Sequence, residues 1–288
     1  MNTSHSSHRS RLFLSGSILL AAALLLPSCK TPEELAIDKR DEVYVAGQGS
    51  KKSSKKGSSS SAAYQSVDRG WNPSVNAPRG GTGNSLSYSR VSVSEPYVAM
   101  TFDDGPHPVN TPRLLDILKA RNIKATFYVV GTNATSYPHI LRRMIAEGHE
   151  IGNHTKTHAY LTKLSAEGVR NEMGFTHRAI VQATGVAPKT MRPPYGATNS
   201  GLRTRIKQEF GYPSIMWAVD PQDWKRPGSQ VVANRIVSAT NKGSIILAHD
   251  IHAPTITAMP NALDRLLAKG YKFVTVTQLI ALGEGGAE

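Results

Sequence analysis

Cysteine is nearly absent from this chain: 288 residues hold one, Cys29. Everything downstream of it is therefore barred from disulfides, thiolate metal sites and thiol nucleophiles. A domain built without cross-links must hold itself together by its core, and the downstream stretch is long enough to make one. Long apolar runs are missing too. The best, residues 12–26, is broken by Ser15, Gly16 and Ser17 and falls short of the roughly 20 residues that cross a bilayer. Acids are in deficit, with 21 Asp and Glu against 34 Lys and Arg and a net charge of +13. No internal repeat is visible, which excludes solenoid architectures.

What is present at the N-terminus has the form of an export signal. Arg9 and Arg11 precede the apolar run, and "LPSC" closes it at Cys29. A basic segment, a short apolar segment and a small residue before a cysteine outline a lipoprotein signal peptide over residues 1–28. Cys29 is then expected to carry lipid and anchor the chain to a membrane. Lys30, rather than Asp, follows it, which favours the outer membrane of a diderm envelope. Residues 29–95 are expected to be a linker. Their Ser/Lys-rich part, "GSKKSSKKGSSSSAAYQS", cannot bury enough apolar surface to offset the cost of ordering, so a disordered tether is predicted. Lys51, Lys52, Lys55 and Lys56 belong to that solvated segment. An exported chain makes nucleic acid an unsuitable partner. From Thr101 onward 22 Lys and Arg still face 14 Asp and Glu, which suits an anionic or wall-associated partner.

Residues 96–284 are expected to fold. Short apolar runs alternate there with amphipathic stretches. Strands are predicted at 97–102, 125–130, 150–152, 190–192, 214–219, 244–248 and 272–276. Helices are predicted at 111–121, 138–148, 166–184, 200–210, 229–240 and 258–269. Such alternation implies an α/β fold with a parallel sheet, and about seven strands suggest closure into an incomplete barrel. Phe127, Tyr128 and Phe273 are expected in the core. His107, His139, His149, His177 and His252 are expected on the surface or in loops.

Chemistry in such folds gathers at the C-terminal ends of strands. Five polar clusters occupy those ends: "TFDDG" with Asp103 and Asp104, "HTKTH" with His154 and His158, "RPPYG" with Arg192 and Tyr195, "DPQDW" with Asp220, Asp223 and Trp224, and "LAHD" with Leu247, His249 and Asp250. Two histidines four residues apart face the same way if their segment turns helically. Two His and one carboxylate form a common catalytic metal set that leaves a position for water. Of the two adjacent acids, one can bind a cation while the other takes a proton, which relieves the repulsion between them. His249 could protonate a leaving group. Dividing the acid and base roles suits hydrolysis of an amide, whose amine departs badly without a proton.

These five motifs, in this order, resemble those of the polysaccharide deacetylases, carbohydrate esterase family 4, over roughly residues 97–282. The resemblance implies a distorted (β/α) barrel and a divalent metal, zinc first, with cobalt, nickel or manganese as alternatives. It makes Asp103 the general base and Asp104, His154 and His158 the metal ligands. Arg192 would orient Asp103, and the Tyr195 backbone N–H would help hold an oxyanion. Asp223 would pair with the general acid His249, with Asp220 the alternative partner. Trp224 and Leu247 would line an acetyl pocket. The implied activity is removal of N-acetyl groups from N-acetylglucosamine in an envelope or exported polysaccharide. Peptidoglycan is the first substrate and a chitin-like glycan the second. An O-acetyl esterase acting on xylan and a non-catalytic glycan-binding lipoprotein are the rivals. A monomer is expected.

Overall fold

The structure is a computed structural model that describes residues 85–283. The apolar run, Cys29 and the Ser/Lys-rich segment lie outside the described residues. Among these residues seven strands appear in chain order: β1 (Ser87–Tyr88), β2 (Tyr97–Asp103), β3 (Thr126–Val129), β4 (Glu150–Asn153), β5 (Ser214–Ile215), β6 (Ile245–Ile246) and β7 (Lys272–Phe273). Among the described residues eight α-helices accompany them: α1 (Asn110–Ala120), α2 (Gly131–Ser136), α3 (Pro138–Ala146), α4 (Ala166–Thr184), α5 (Ser200–Phe210), α6 (Ser229–Ala239), α7 (Ala253–Ala268) and α8 (Val276–Ala281).

The strands pair in parallel in the order β4-β3-β2-β6, and β7 also pairs with β2. Single bridges complete the circuit: Asn153 to Met191, Met191 to Ser214, and Val219 to Ile246. The ring thus closes through two segments too short and kinked to be full strands, which makes it a distorted (β/α) barrel. The predicted strand at 190–192 survives only as the Met191 bridge.

Alternation along β2 explains how the barrel carries its site. Val98, Met100 and Phe102 pack outward with Leu114, Phe127, Ile246 and Leu263. Ala99 packs with Tyr128, Ile215 and Ile245, beneath Val276 and Leu279. Side chains on a strand alternate faces, so Ala99, Thr101 and Asp103 form an inward column with the acid at its C-terminal end. Phe127 and Tyr128 are buried as expected, and Phe273 packs against the core partly buried.

Local chemistry sets the helix ends. Ser165 Oγ accepts from the Gly168 N–H ahead of α4, and Asn199 Oδ1 accepts from the Leu202 N–H ahead of α5. Both helices stop at a glycine with positive φ, Gly185 at 74° and Gly211 at 75°, where a side chain would be disfavoured.

Four expectations are corrected. The folded chain extends back past residue 96: β1 pairs with β5, and Val91 and Val93 are buried. Helix α7 begins five residues earlier than predicted, because Pro254 occupies its first turn, where no N–H is needed. Val276 opens α8 rather than ending a strand, its first turn fixed by a capping box of Thr275 and Gln278. Of the five histidines assigned to the surface or loops, His139 is exposed and His107, His149 and His252 lie in loops, so only His177, inside α4, departs from the expectation. His107, His149, His177 and His252 are buried. Three of these rings bond locally: His107 Nδ1 accepts from the Asn110 N–H, His149 Nδ1 accepts from the Ala125 N–H, and His177 Nδ1 lies 2.6 Å from the Tyr212 hydroxyl.

Candidate active site

The five polar clusters meet at the C-terminal mouth of the barrel, around a cleft of about 460 Å³ lined by Asp103, Asp104, His154, His158, Tyr195, Trp224, Leu247 and His249. Trp217, Asp220, Pro193 and Gly196 complete its wall. Every site residue expected from the sequence lines this cleft, except Arg192 and Asp223, which lie buried directly behind it.

Backbone conformation separates the two adjacent acids. Asp103 closes β2 in extended form, whereas Asp104 has a φ of 75°. The chain therefore turns between them and the two carboxylates diverge. Asp104, Thr155, His158, Tyr195, Gln222 and Arg226 account for six of the seven non-glycine residues with positive φ among the described residues. All six lie in the site loops. Such conformations cost roughly 1–3 kcal/mol each and persist where surroundings enforce them.

Asp103 is buried against Arg192. Arg192 Nη1 donates to Asp103 Oδ1 at 2.8 Å and to Thr101 Oγ1 at 2.6 Å, Nε to the Ile215 carbonyl and Nη2 to the Met216 carbonyl. The guanidinium carbon lies 4.4 Å from the centre of the Tyr128 ring. With its fork held at four points, Arg192 fixes one oxygen of Asp103 and leaves the other toward the cleft, 3.8 Å from His154 Nε2.

The second acid faces two imidazoles. His154 Nδ1 donates to the Arg192 carbonyl at 2.7 Å, because only the ring can supply the proton in that pair. Its Nε2 is then a lone pair in the neutral tautomer, as second-shell carbonyls arrange for metal-binding histidines. That Nε2 lies 3.3 Å from Asp104 Oδ1, and His158 Nε2 lies 3.2 Å from the same oxygen. Asp104 Oδ1 is nevertheless buried without an aligned hydrogen bond. One atom from each residue lies within 4.8 Å of the others. Burial alone would raise the Asp104 pKa, but His154, His249 and His158 hold it below the usual carboxylate range. Converging lone pairs around an unpartnered carboxylate oxygen fit a divalent cation, and a two-nitrogen, one-oxygen donor set fits a zinc-like ion. The His154–His158 segment does not turn helically. The segment is irregular, turned by Thr155 at 67° and His158 at 60°, and the rings converge with centroids 4.9 Å apart.

The remaining pair is Asp223 with His249. Asp223 Oδ1 accepts from His249 Nδ1 at 2.8 Å, while Oδ2 accepts from the His249 N–H and the Thr255 hydroxyl, both at 2.8 Å. Asp220 instead accepts from the Gln222 N–H and stays exposed, so Asp223 is the histidine's partner. Burial pulls the His249 pKa down, but Asp223, aided by the charges of Asp104 and Asp103, raises it to about 10. A bridge between Asp103 and His249 places the two groups on adjacent strand ends.

Sequence reasoning gave no role to Asp250, although "LAHD" ends with it. It is fully buried. Its Oδ2 accepts from Thr111 Oγ1 at 2.5 Å and its Oδ1 has no partner. A side chain on Gly105 would collide with this carboxylate, so Asp250 lies directly against the turn that carries Asp104. Burial raises its pKa to about 7, with help from the charges of Asp104 and Asp103.

The profile of the polysaccharide deacetylase family matches residues 90–215. A peptidoglycan-N-acetylglucosamine deacetylase, PgdA, of Listeria monocytogenes is 41% identical over 182 residues, which span 63% of this chain and 38% of that one. The matched region is thus well under half the length of that relative. A chitooligosaccharide deacetylase of Bradyrhizobium is 37% identical over 198 residues, 63% of this chain and 90% of that one. Among solved structures, T48 deacetylase with substrate superposes with a TM-score of 0.63 at 43% identity, covering 66% of this chain and 94% of that one. Motif order, barrel, cleft and relatives agree, and the chain belongs to the polysaccharide deacetylase family.

Proposed function

We propose that this chain hydrolyses N-acetyl groups of N-acetylglucosamine residues in a cell-envelope glycan, peptidoglycan first and a chitin-like glycan second, releasing acetate. The observation that carries the reading is the meeting, in one cleft, of a three-donor cluster, an acid held by a buried arginine, and an imidazole held by a buried acid. Peptidoglycan and chitooligosaccharide deacetylases among the relatives support the substrate class.

Asp104, His154 and His158 would hold the divalent metal, zinc first. When bound there, it supplies a Lewis acid for the acetyl carbonyl and lowers the pKa of water. Asp103, oriented by Arg192, takes a proton from the attacking water, whose oxygen bonds to the carbonyl carbon. The Tyr195 N–H donates to the oxygen on which charge develops. His249, as imidazolium, passes its Nε2 proton to the amide nitrogen as the C–N bond breaks. Acetate and a free amine result. Leu247 and Trp224 enclose the acetyl methyl.

Residues 1–28 and Cys29 fit a lipoprotein signal, so the same reading places the enzyme on the envelope, tethered by residues beyond 29. A clickable fatty acid should label the wild type and not Cys29→Ser, and an unlabelled wild type would overturn the anchor. The activity is tested by mass spectrometry of products from peptidoglycan, chitooligosaccharides and acetylated xylan. Loss of 42 Da per residue (the mass of ketene, about one acetyl less one hydrogen) from N-acetylated glycans is expected. Acetate release from xylan alone would make the protein an O-acetyl esterase, and no release from any would leave a binding protein.

A further inference from the structure

Two lysines flank the cleft with no carboxylate partner among the described residues. On one wall Tyr195 stacks on Tyr160, with centroids 3.9 Å apart and planes 11° apart. Lys163 Nζ lies 4.6 Å from the centre of the Tyr160 ring. On the other wall Trp224 follows Asp223, and Lys225 Nζ lies 4.9 Å from its indole while reaching the neutral Gln222 side chain at 3.3 Å. Arg226 comes next. Elsewhere on the surface some cations find acids, Arg121 with Asp264, Arg143 with Asp116 and Lys272 with Glu95, while Lys242, Arg265 and Lys269 reach only carbonyl or amide oxygens. Around the cleft the acids are otherwise engaged. Asp103 is bound to Arg192, Asp223 to His249, and Asp104 faces His154 and His158. Asp220 is the exposed exception.

The aromatic supports point the same way. Tyr160, Tyr195 and Trp224 are 41%, 56% and 50% exposed. Large exposed rings at a cleft are binding surface, suited to the apolar faces of sugars. Rings beneath Lys163 and Lys225 also localise each ammonium near the mouth rather than letting it sweep solvent.

We propose that these cations form an anion-accepting rim that takes a carboxylate carried by the glycan next to the residue being deacetylated. The substrate class is then an acetylated glycan with carboxylates along its strand, rather than a neutral polymer. This inference rests on the deacetylase reading above and names the substrate of the same cleft. In peptidoglycan the carboxylate has two sources, the lactyl ether on alternate sugars and the stem peptide.

The experiment compares three substrates: chitotetraose, a peptidoglycan tetrasaccharide with free lactyl carboxylates, and the same tetrasaccharide bearing stem peptides. The enzymes are wild type, Lys163→Ala/Lys225→Ala, and Lys163→Arg/Lys225→Arg. Exposed ion pairs are worth little singly, so the alanine pair should lose about tenfold in kcat/KM on a carboxylated glycan, mostly through KM. Its rate on chitotetraose should stay within about twofold, and the arginine pair should behave as wild type. The wild-type preference for the charged glycans should shrink as salt rises. A loss confined to the peptide-bearing substrate assigns the rim to the stem, and a loss on both assigns it to the lactyl group. Equal losses on charged and neutral glycans, or no loss on either charged one, overturn the rim. If wild type turns over chitotetraose while these results fail, only the rim falls; if it deacetylates none of the three, the parent reading falls with it.

Discussion

Asp223→Asn should move the alkaline limb of the pH–rate profile downward while leaving the acidic limb in place. His249 acts as a donor only when protonated, so activity is lost as pH rises through its pKa. Burial lowers that pKa, and the Asp223 carboxylate at 2.8 Å outweighs burial and raises it to about 10 together with Asp104 and Asp103. Positive charge in the three-donor cluster offsets the Asp104 and Asp103 contributions, so the limb in the loaded enzyme falls below that value. It stays above the ordinary imidazole range because Asp223 remains. A hydrogen bond to a charged group is worth about 1.5–3 kcal/mol, and one pKa unit is about 1.4 kcal/mol, so the amide should shift the limb down by about 1–2 units. The amide also sets an N–H₂ against donors among the four that now converge on Asp223, from the His249 ring, the His249 backbone, Thr255 and the Trp224 backbone.

The assay is kcat/KM against pH on chitotetraose and on an activated acetate ester, whose leaving group needs no proton. The shift should appear with the glycan and be far weaker with the ester. Stability provides an independent reading. A histidine whose folded pKa is raised stabilises the native state fully below its unfolded value and loses that contribution as pH rises through the folded one. The wild type should therefore lose Tm on the alkaline side, between about 6.5 and about 10, and Asp223→Asn should show less of this loss. An unmoved alkaline limb with intact folding would show that His249 is not the titrating donor.

Asp103→Asn should keep its metal, measured by elemental analysis, while losing about 10²–10⁴-fold in turnover. Asp104→Asn should lose metal affinity and recover part of its activity in excess metal; the reverse pattern would exchange the two roles. Arg192→Met strands a buried Asp103 charge and should cost about 3–5 kcal/mol in urea unfolding, with partial recovery in the double variant Arg192→Met/Asp103→Leu. Asp250→Asn should retain most metal affinity because the amide still packs against Gly105 and accepts from Thr111, whereas Asp250→Ala, which empties that contact, should weaken it; equal behaviour of the two would remove Asp250 from any role in placing Asp104.

Elements whose cause is local were legible in the sequence. Helices α4 and α5 came out with their observed limits, because Ser165 and Asn199 cap them and Gly185 and Gly211 stop them within the same few residues. Those signals are all contained in the segment. The barrel's weak side was not legible. Whether residues 190–192 form a strand depends on what Asn153 and Ser214 offer on either side, and they offer one bridge each. Residues 85–95 were misjudged for the same reason. Their composition resembles the Ser/Lys-rich sequence before them, and only β5 and the pocket that accepts Val91 and Val93 fold them.

The site shows the same division more sharply. Residue type and strand-end position sufficed to collect Asp103, Asp104, His154, His158, Arg192, Asp223 and His249, since no simpler demand explains so many ionisable side chains at successive strand ends. The choice between Asp220 and Asp223 needed three-dimensional knowledge: both follow the same strand, and only the turn through Gln222 at φ 54° carries Asp223 back beneath His249. His154 and His158 converge through two left-handed residues, not a helical turn, so the spacing suggested the right pair for the wrong reason. Asp250 stands in the "LAHD" cluster, but its role is not legible there because its contacts are to Thr111 and Gly105, far away in sequence. A buried acid that touches neither cleft nor solvent leaves no periodic or compositional trace. Such residues emerge only when the polar atoms of the interior are accounted for one by one.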